Sequence, residues 1–271
     1  MEHLWRVISA LVILPPFILV LLYAPVELFS LLVLAVSILA LYEYGALLKQ
    51  VHLPIGSGAC YVAAFGLMVA AYLGGWPWLA PALFLSLLLL TLAAITSSQD
   101  AAGKFSMALH GAFGVLGIAW CLSHFVVLRS MQAGQWYLLF MCITVWVSDS
   151  MAMYTGKFLG RHRLAAALSP GKTWEGAVGG TVSGVVTAGA VAPFLVPQLL
   201  LWQGVLLGFL ITLAAQISDL GESMLKRYTG AKDSSGLIPG HGGSLDRIDS
   251  MLFAAPTLCY ALEALGKASA A

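Results

Sequence analysis

The sequence predicts an all-α integral membrane protein, a bundle of about nine transmembrane helices with a polar site on the cytoplasmic side. Three observations support this fold class. Of 271 residues, 60% are hydrophobic and only 9% are charged, whereas soluble domains carry roughly 25% charged residues. The mean hydropathy is +0.92. Nine stretches are apolar over the roughly 20 residues that a helix needs to cross a bilayer.

The predicted spans follow one another along most of the chain. They cover residues 7–23, 26–48, 57–74, 77–97, 107–128, 135–155, 174–196, 199–220 and 249–265. No small-residue cleavage pattern ends the first stretch, so we expect a retained span rather than a signal peptide. We divide the chain into an N-terminal region of about five spans, 1–130, and a C-terminal region of about four spans, 131–271, with cytoplasmic loops 156–173 and 221–248.

The positions of Lys and Arg predict the orientation in the membrane. With the N-terminus inside, eleven of the thirteen Lys and Arg residues fall in cytoplasmic loops, as expected because positive charge is retained on that side. Only Arg129 and Lys267 fall outside. The topology is therefore predicted to be N-in and C-out.

Composition also excludes several function classes. The formal net charge of +1 provides no basic field for a nucleic-acid backbone, so we expect no nucleic-acid partner. The four cysteines stand alone in apolar runs without metal-ligand spacing, and we interpret them as small buried hydrophobes.

Three glycines repeat at four-residue spacing on the seventh predicted span: Gly176, Gly180 and Gly184. This spacing allows another helix to approach closely. We favour a packing groove within one protomer, with a homodimer interface as the alternative.

The charged residues are concentrated in one part of the chain. Between Asp149 and Asp249 lie fifteen of the 25 charged residues, eight positive and seven negative. Asp149 and Asp219 fall in or at the ends of predicted spans, where an acid needs a partner, water or a metal. A solvated position near a helix end is the alternative for either acid alone.

The densest polar stretch is 218–250. A helix continuing past the eighth span would place Asp219, Glu222, Ser223 and Lys226 on one face. A glycine-rich loop containing His241 follows, and Asp246 and Asp249, three residues apart, open the ninth helix. Lys and Arg suit phosphate oxygens, whereas the acids would repel them, and Mg²⁺ reconciles the two. A solvated loop with surface ion pairs is the alternative.

The second polar loop is 156–176. Its Gly-Lys-Thr end lacks the first glycine of a P-loop and no strand precedes it, so we reject that interpretation. We expect Ser169–Thr173 to form a turn into the seventh helix that binds an anion, or one that only caps the helix. Glu43 is interpreted as an interfacial acid in preference to a buried functional one.

Residues 223–249 closely resemble the signature of the phosphatidate cytidylyltransferases, the CDP-diacylglycerol synthases. The matching positions are Ser223, Lys226, Arg227, Lys232, Asp233, Pro239, His241, Gly242, Gly243, Asp246, Arg247 and Asp249. Ser244 departs from the family pattern, which usually has an apolar residue there. Asp149 with Gly156 and Lys157, the segment 169–174 and the segment 6–10 are also similar to family segments.

The resemblance implies transfer of a cytidylyl group from CTP to phosphatidic acid, with Mg²⁺ required and a monovalent cation such as K⁺ in a binuclear centre. It assigns catalysis to Asp219, Asp246, Lys226 and Asp249, and metal binding to Asp219, Asp246 and Asp249. Substrate binding is expected from Lys172, Ser169, Ser223, Arg227, Lys232, His241, Arg247 and Asp149. The implied location is the bacterial inner membrane, with the site facing the cytoplasm.

Two alternatives stay open. A CTP-dependent polyprenol or phytol kinase would also use a nucleotide, a metal and a lipid. A cation-coupled transporter would use Asp149 and Asp219 as a midplane ion site. The absence of a visible inverted repeat and the clustering of charge in loops weigh against transport.

Overall fold

The chain folds almost entirely into helices. The computed structural model describes residues 15–236 and 242–267. Within them, residues 15–23 belong to α1, and the following helices are α2 (Val26–Gln50), α3 (Ser57–Gly74), α4 (Trp76–Thr96), α5 (Ala101–Arg129), α6 (Gly134–Leu159), α7 (Trp174–Leu195), α8 (Leu201–Thr229) and α9 (Leu245–Ala264). The π-helical segment Val115–Trp120 lies within α5. The all-α fold class is confirmed.

Seven of the described helices, α2 to α8, are long and apolar enough to cross a membrane, and the protein is a multi-pass membrane protein. The count of nine spans stays a prediction. Much of the first predicted span lies outside the described residues. The last coincides with α9, whose first five residues include Asp246, Arg247 and Asp249. The N-in, C-out topology likewise stays a prediction.

The described residues form two compact units. Unit 1 contains those within Met1–Ser130 and Tyr228–Ile248, and unit 2 those within Met131–Arg227 and Asp249–Ala271. In unit 1, α2 to α5 pack around fully buried side chains that include Leu47, Leu67 and Val126. Large apolar side chains on α3 and α4, such as Phe65 and Leu85, are exposed, as expected for faces turned to lipid.

In unit 2, the glycine stripe of α7 packs against α6. A β-carbon at Gly176 would lie 2.7 Å from the Ala152 carbonyl oxygen, and one at Gly180 would lie 2.8 Å from the Ser148 carbonyl oxygen. A β-carbon at Gly184 would collide with the methyl group of Thr212 on α8. The predicted packing groove within one protomer is therefore confirmed. All four cysteines are free and buried, also as predicted.

The connection from α6 to α7 corrects one prediction. Instead of a simple turn, it forms an antiparallel hairpin of β1 (Arg163–Ala165) and β2 (Ser169–Thr173), with Arg163 opposite Thr173 and Ala165 opposite Ser169. Thr173 ends β2 and caps α7, because its Oγ1 accepts a hydrogen bond from the Gly176 N–H at 3.1 Å. Lys172 therefore lies between the paired part of β2 and the residue that caps α7, and both hold its backbone in place.

Candidate active site

Within unit 2, an ion pair joins the polar loop 156–176 to α8. Lys172 Nζ at the end of β2 lies 2.7 Å from Asp219 Oδ2 on α8. The two side chains are 27% and 31% exposed, so the pair is partly shielded from water and remains accessible to a ligand. Lys172 and Asp219 are therefore neighbours in space although they are far apart in the chain.

A carboxylate cluster surrounds this pair. Asp219, Glu222 and Asp249 each place one oxygen within 4.8 Å of the others. Asp219 and Glu222 share a face of α8 because they are three residues apart, and Asp249 comes from α9. Lys226, one turn beyond Glu222, forms an ion pair with it. Ser218 on α8 links the two helices by donating its side-chain hydroxyl to the backbone carbonyl oxygen of Asp249 on α9.

Three carboxylates so close together repel one another, and two lysines contact them. The donors are hard oxygen atoms, the ligands that Mg²⁺ and similar divalent cations prefer. The cluster therefore fits a divalent metal by the chemistry of its donors. Two of the three predicted metal ligands, Asp219 and Asp249, belong to it, and Glu222 completes it.

A pocket of about 630 Å³ opens beside the ion pair within unit 2. Asp149 lines it with Asp219 and Lys172, and the carboxylate of Asp149 interacts with the hydroxyl of Ser250. Two further cations, Lys157 and Arg163, also line the pocket. Its apolar lining includes Ala152, Met153, Leu164 and Leu220. Cations next to apolar surface suit an amphiphile with an anionic head.

The hairpin that carries Lys172 is held by polar contacts at both ends. Glu175 on α7 accepts hydrogen bonds from the Arg161 and His162 N–H groups, at 3.1 and 3.2 Å, and contacts His162 Nδ1 at 2.6 Å. Arg163 donates to the Pro170 carbonyl oxygen at 2.5 Å. Arg227 Nε on α8 donates to the Leu168 carbonyl oxygen at 3.0 Å. Arg227 thus supports the hairpin as well as being a predicted substrate ligand.

Asp246 lies in unit 1, with a different set of partners. Its Oδ2 accepts hydrogen bonds from the Ser234 N–H at 2.8 Å, the Ser234 hydroxyl at 2.7 Å and the Gly243 N–H at 2.8 Å. Gly242 has φ +75°, and a β-carbon there would lie 2.6 Å from Asp246 Oδ2. The glycine of the signature therefore allows the backbone to turn against this carboxylate.

The interpretation of Glu43 as an interfacial acid was wrong. Its side chain is 1% exposed, and its carboxylate accepts hydrogen bonds from Ser235, Ser244 and Leu245, all in unit 1. The partners come from the far end of the chain, so the local sequence around Glu43 contained no sign of them.

For the other predicted site residues, the structure gives burial and position in the fold. Ser169 is half-buried in β2 and Ser223 half-buried on α8, whereas Lys232 and Arg247 are exposed. His241 and Pro239 lie outside the described residues. Glu222 was not among the metal ligands predicted from the sequence, although its spacing placed it on the same helix face as Asp219. Arg163, which lines the pocket, was also assigned no site role from the sequence.

The fold and this site define a multi-pass membrane protein with a cluster of carboxylates and lysines beside a pocket that is both cationic and apolar. The model of the cytidylyltransferase family matches residues 4–265. The chain belongs to this family.

Several relatives are phosphatidate cytidylyltransferases. The protein of that name from Bacillus subtilis (strain 168) is 35% identical over 247 residues, 86% of this chain and 88% of the relative. The one from Staphylococcus aureus (strain COL) is 32% identical over 84% of this chain and 88% of its own length. The one from Haemophilus influenzae is 44% identical over 132 residues, 47% of this chain and 46% of that protein.

Proposed function

We propose that the protein transfers the cytidylyl group of CTP to phosphatidic acid, giving CDP-diacylglycerol and pyrophosphate for phospholipid synthesis. Family membership and the names of the relatives support this reaction. The observation that carries it is the Lys172–Asp219 pair, which stands at the edge of the carboxylate cluster and lines the cationic, apolar pocket. Such a site can hold a metal–triphosphate and a lipid phosphate side by side.

In this reaction an oxygen of the lipid phosphate attacks the α-phosphorus of CTP. A new P–O bond forms, the bond between the α-phosphorus and the bridging oxygen to the β-phosphate breaks, and pyrophosphate leaves with that electron pair. The nucleophile is an anionic phosphate monoester, so no side chain needs to remove a proton. The work of the protein is to align the two phosphates and neutralise their charge.

We propose metal binding by Asp219, Asp246 and Asp249, and we add Glu222 because it lies in the carboxylate cluster. When bound, Mg²⁺ neutralises triphosphate charge and stabilises the leaving pyrophosphate. A monovalent cation such as K⁺ is proposed as the second ion of a binuclear centre. Lys226 holds Glu222 in place and adds positive charge next to the carboxylates.

Lys172 is proposed to leave Asp219 partly and to contact a substrate phosphate, because its ion pair is accessible from the pocket. Asp149 is proposed to orient Lys172 across the same pocket. The remaining proposed substrate ligands are Ser169, Ser223, Arg227, Lys232, His241 and Arg247. Lys157 and Arg163 join them as pocket cations suited to the lipid phosphate.

The proposed location is the bacterial inner membrane, with the site open to the cytoplasm, where CTP is available. The loop charges and the bacterial relatives support it. A homodimer stays a prediction. The glycine stripe that suggested it does not support it, because α6 of the same chain packs against that stripe.

Two labelled forms of CTP separate this reaction from its alternatives. The purified protein would be incubated with phosphatidic acid, Mg²⁺ and CTP carrying ³²P at either the α or the γ position. Cytidylyl transfer puts the α label into lipid and the γ label into pyrophosphate. A lipid kinase offered its alcohol substrate would put the γ label into lipid, and a transporter would label no lipid. Either of these results would contradict the proposal.

A further inference from the structure

The Glu43 carboxylate is buried and accepts hydrogen bonds at both of its oxygens. Its Oε1 accepts from the Ser235 hydroxyl at 2.7 Å and the Ser244 N–H at 2.9 Å. Its Oε2 accepts from the Leu245 N–H at 2.8 Å and lies 3.0 Å from the Ser234 hydroxyl. We call this set of contacts the Glu43 anchor. Burying a carboxylate is costly unless it is hydrogen-bonded this fully.

The Glu43 anchor caps α9 from a separate helix. Ser244 and Leu245 supply the first N–H groups of α9, which have no partner within the helix itself. A carboxylate at this point satisfies two of these groups and interacts favourably with the positive end of the helix dipole. α2 therefore determines where α9 begins.

A signature glycine fits the same arrangement. A β-carbon on Gly243 would collide with the Ser234 hydroxyl oxygen and would lie 2.5 and 2.6 Å from the two carboxylate oxygens of Glu43, so a larger residue would displace these side chains. Gly243 therefore lets the loop pass close to the buried acid without disturbing its hydrogen bonds. The glycine and Glu43 are physically coupled although they are remote in sequence.

Ser234 links Glu43 to Asp246. Its hydroxyl lies 3.0 Å from Glu43 Oε2 and 2.7 Å from Asp246 Oδ2, and a hydroxyl can donate to one acceptor at a time. The Ser234 N–H also donates to Asp246. Glu43 and Asp246 therefore hold the same stretch of the signature loop from two sides.

We propose that Glu43 is a positioning residue for the cytidylyltransferase site: from α2 it fixes the start of α9, and with it the signature acid Asp246. This inference rests on the proposed function for its consequence in catalysis. Its structural part, the immobilisation of residues 234–235 and 242–246 by a buried carboxylate, can be tested without any substrate.

The test replaces Glu43 by Gln, which keeps the shape but puts an amide NH₂ where one oxygen accepted N–H groups. Glu27→Gln is the matched control, because Glu27 lies on the same helix, is exposed and contacts Tyr72. Hydrogen exchange would be measured in nanodiscs with EDTA and no substrate. We expect peptides containing 242–250 to exchange about ten- to a hundredfold faster in Glu43→Gln and to be unchanged in Glu27→Gln.

Activity is measured in parallel. Glu43→Gln is expected to lose at least about tenfold in kcat/KM for CTP and to need more Mg²⁺ for half-maximal rate, with partial recovery at high Mg²⁺. Glu43→Asp, which keeps the charge, is expected to retain more activity than Glu43→Gln. A role limited to overall stability would lower the yield of folded protein without changing the Mg²⁺ requirement.

Unchanged exchange of 242–250 in Glu43→Gln would overturn the proposal, and so would wild-type activity and Mg²⁺ requirement. If Glu43→Gln fails to fold, Ser235→Ala removes one donor from the anchor and is judged by the same exchange measurement. Failure of the proposed function is recognised separately, because the wild-type protein would then transfer no cytidylyl label whatever the exchange result.

Discussion

Asp249→Asn provides the sharpest test of the carboxylate cluster. Asp249, Asp219 and Glu222 place oxygens within 4.8 Å of one another. Two unit charges 4.8 Å apart repel by about 3.5 kcal/mol at an effective dielectric constant of about 20 and by about 0.9 kcal/mol in water. Asn removes the charge and keeps the Oδ1 that accepts the Ser250 N–H at 2.7 Å.

Whether Asp249→Asn raises or lowers the stability of the protein depends on whether Mg²⁺ is present. In EDTA, loss of repulsion from Asp219 and Asp149 outweighs loss of attraction to Lys226, so we expect Asp249→Asn to be about 1–3 kcal/mol more stable than wild type. With Mg²⁺ at a hundred times its dissociation constant, the wild type should gain about 2.7 kcal/mol, and the variant much less. Turnover should fall at least about a hundredfold.

The assay combines unfolding in nanodiscs, with and without Mg²⁺, and the ³²P transfer reaction. Glu263→Gln is the control, because this exposed acid lies farther along α9. It should match the wild type in both measurements. If Asp249→Asn gains no stability in EDTA, or keeps the wild-type response to Mg²⁺, the interpretation of the cluster as a metal site is refuted.

Four further substitutions test other parts of the site and the packing of the helices. Lys172→Ala should lower kcat/KM by about a hundredfold in the transfer assay, through loss of a phosphate contact; a loss below threefold would contradict that role. Asp246→Asn should abolish nearly all turnover with normal membrane insertion, and retained activity across a Mg²⁺ titration would refute its metal role. Gly180→Ala should destabilise unit 2 by about 1–3 kcal/mol, since its β-carbon would lie 2.7 Å from that of Ala152. Gly66→Ala, with nothing within 4 Å, should stabilise by about 0.5–1 kcal/mol, and equal unfolding midpoints for the two would contradict the packing argument.

The helices could be predicted because a bilayer imposes length and apolarity on each span, and these are local properties of the sequence. The glycine stripe was equally local, since Gly176 and Gly180 show their packing face by spacing alone. The hairpin was missed because β1 and β2 contain only three and five residues. Segments this short, rich in Gly and Pro, do not show the alternation by which longer strands are recognised.

The site was predictable as a set of residues and not as an arrangement. The pairing of Lys172 with Asp219 depends on how β2 meets α8, which no spacing within either segment reveals. The position of Glu43 was predicted wrongly for the same reason. Its hydrogen-bond partners in the loop lie 191 to 202 residues away in the sequence. Glu222 was within reach, since its three-residue spacing from Asp219 already placed both acids on one helix face.

Lys172 is followed directly by the residue that fixes the start of α7. The backbone register places Arg163 opposite Thr173, and Thr173 immediately caps α7. A residue inserted between Lys172 and Thr173 would separate the lysine from that cap. The exposed turn at Ala166 and Ala167 has no such constraint, so a short epitope or a labelled cysteine introduced there would report on the hairpin while leaving the lysine in place.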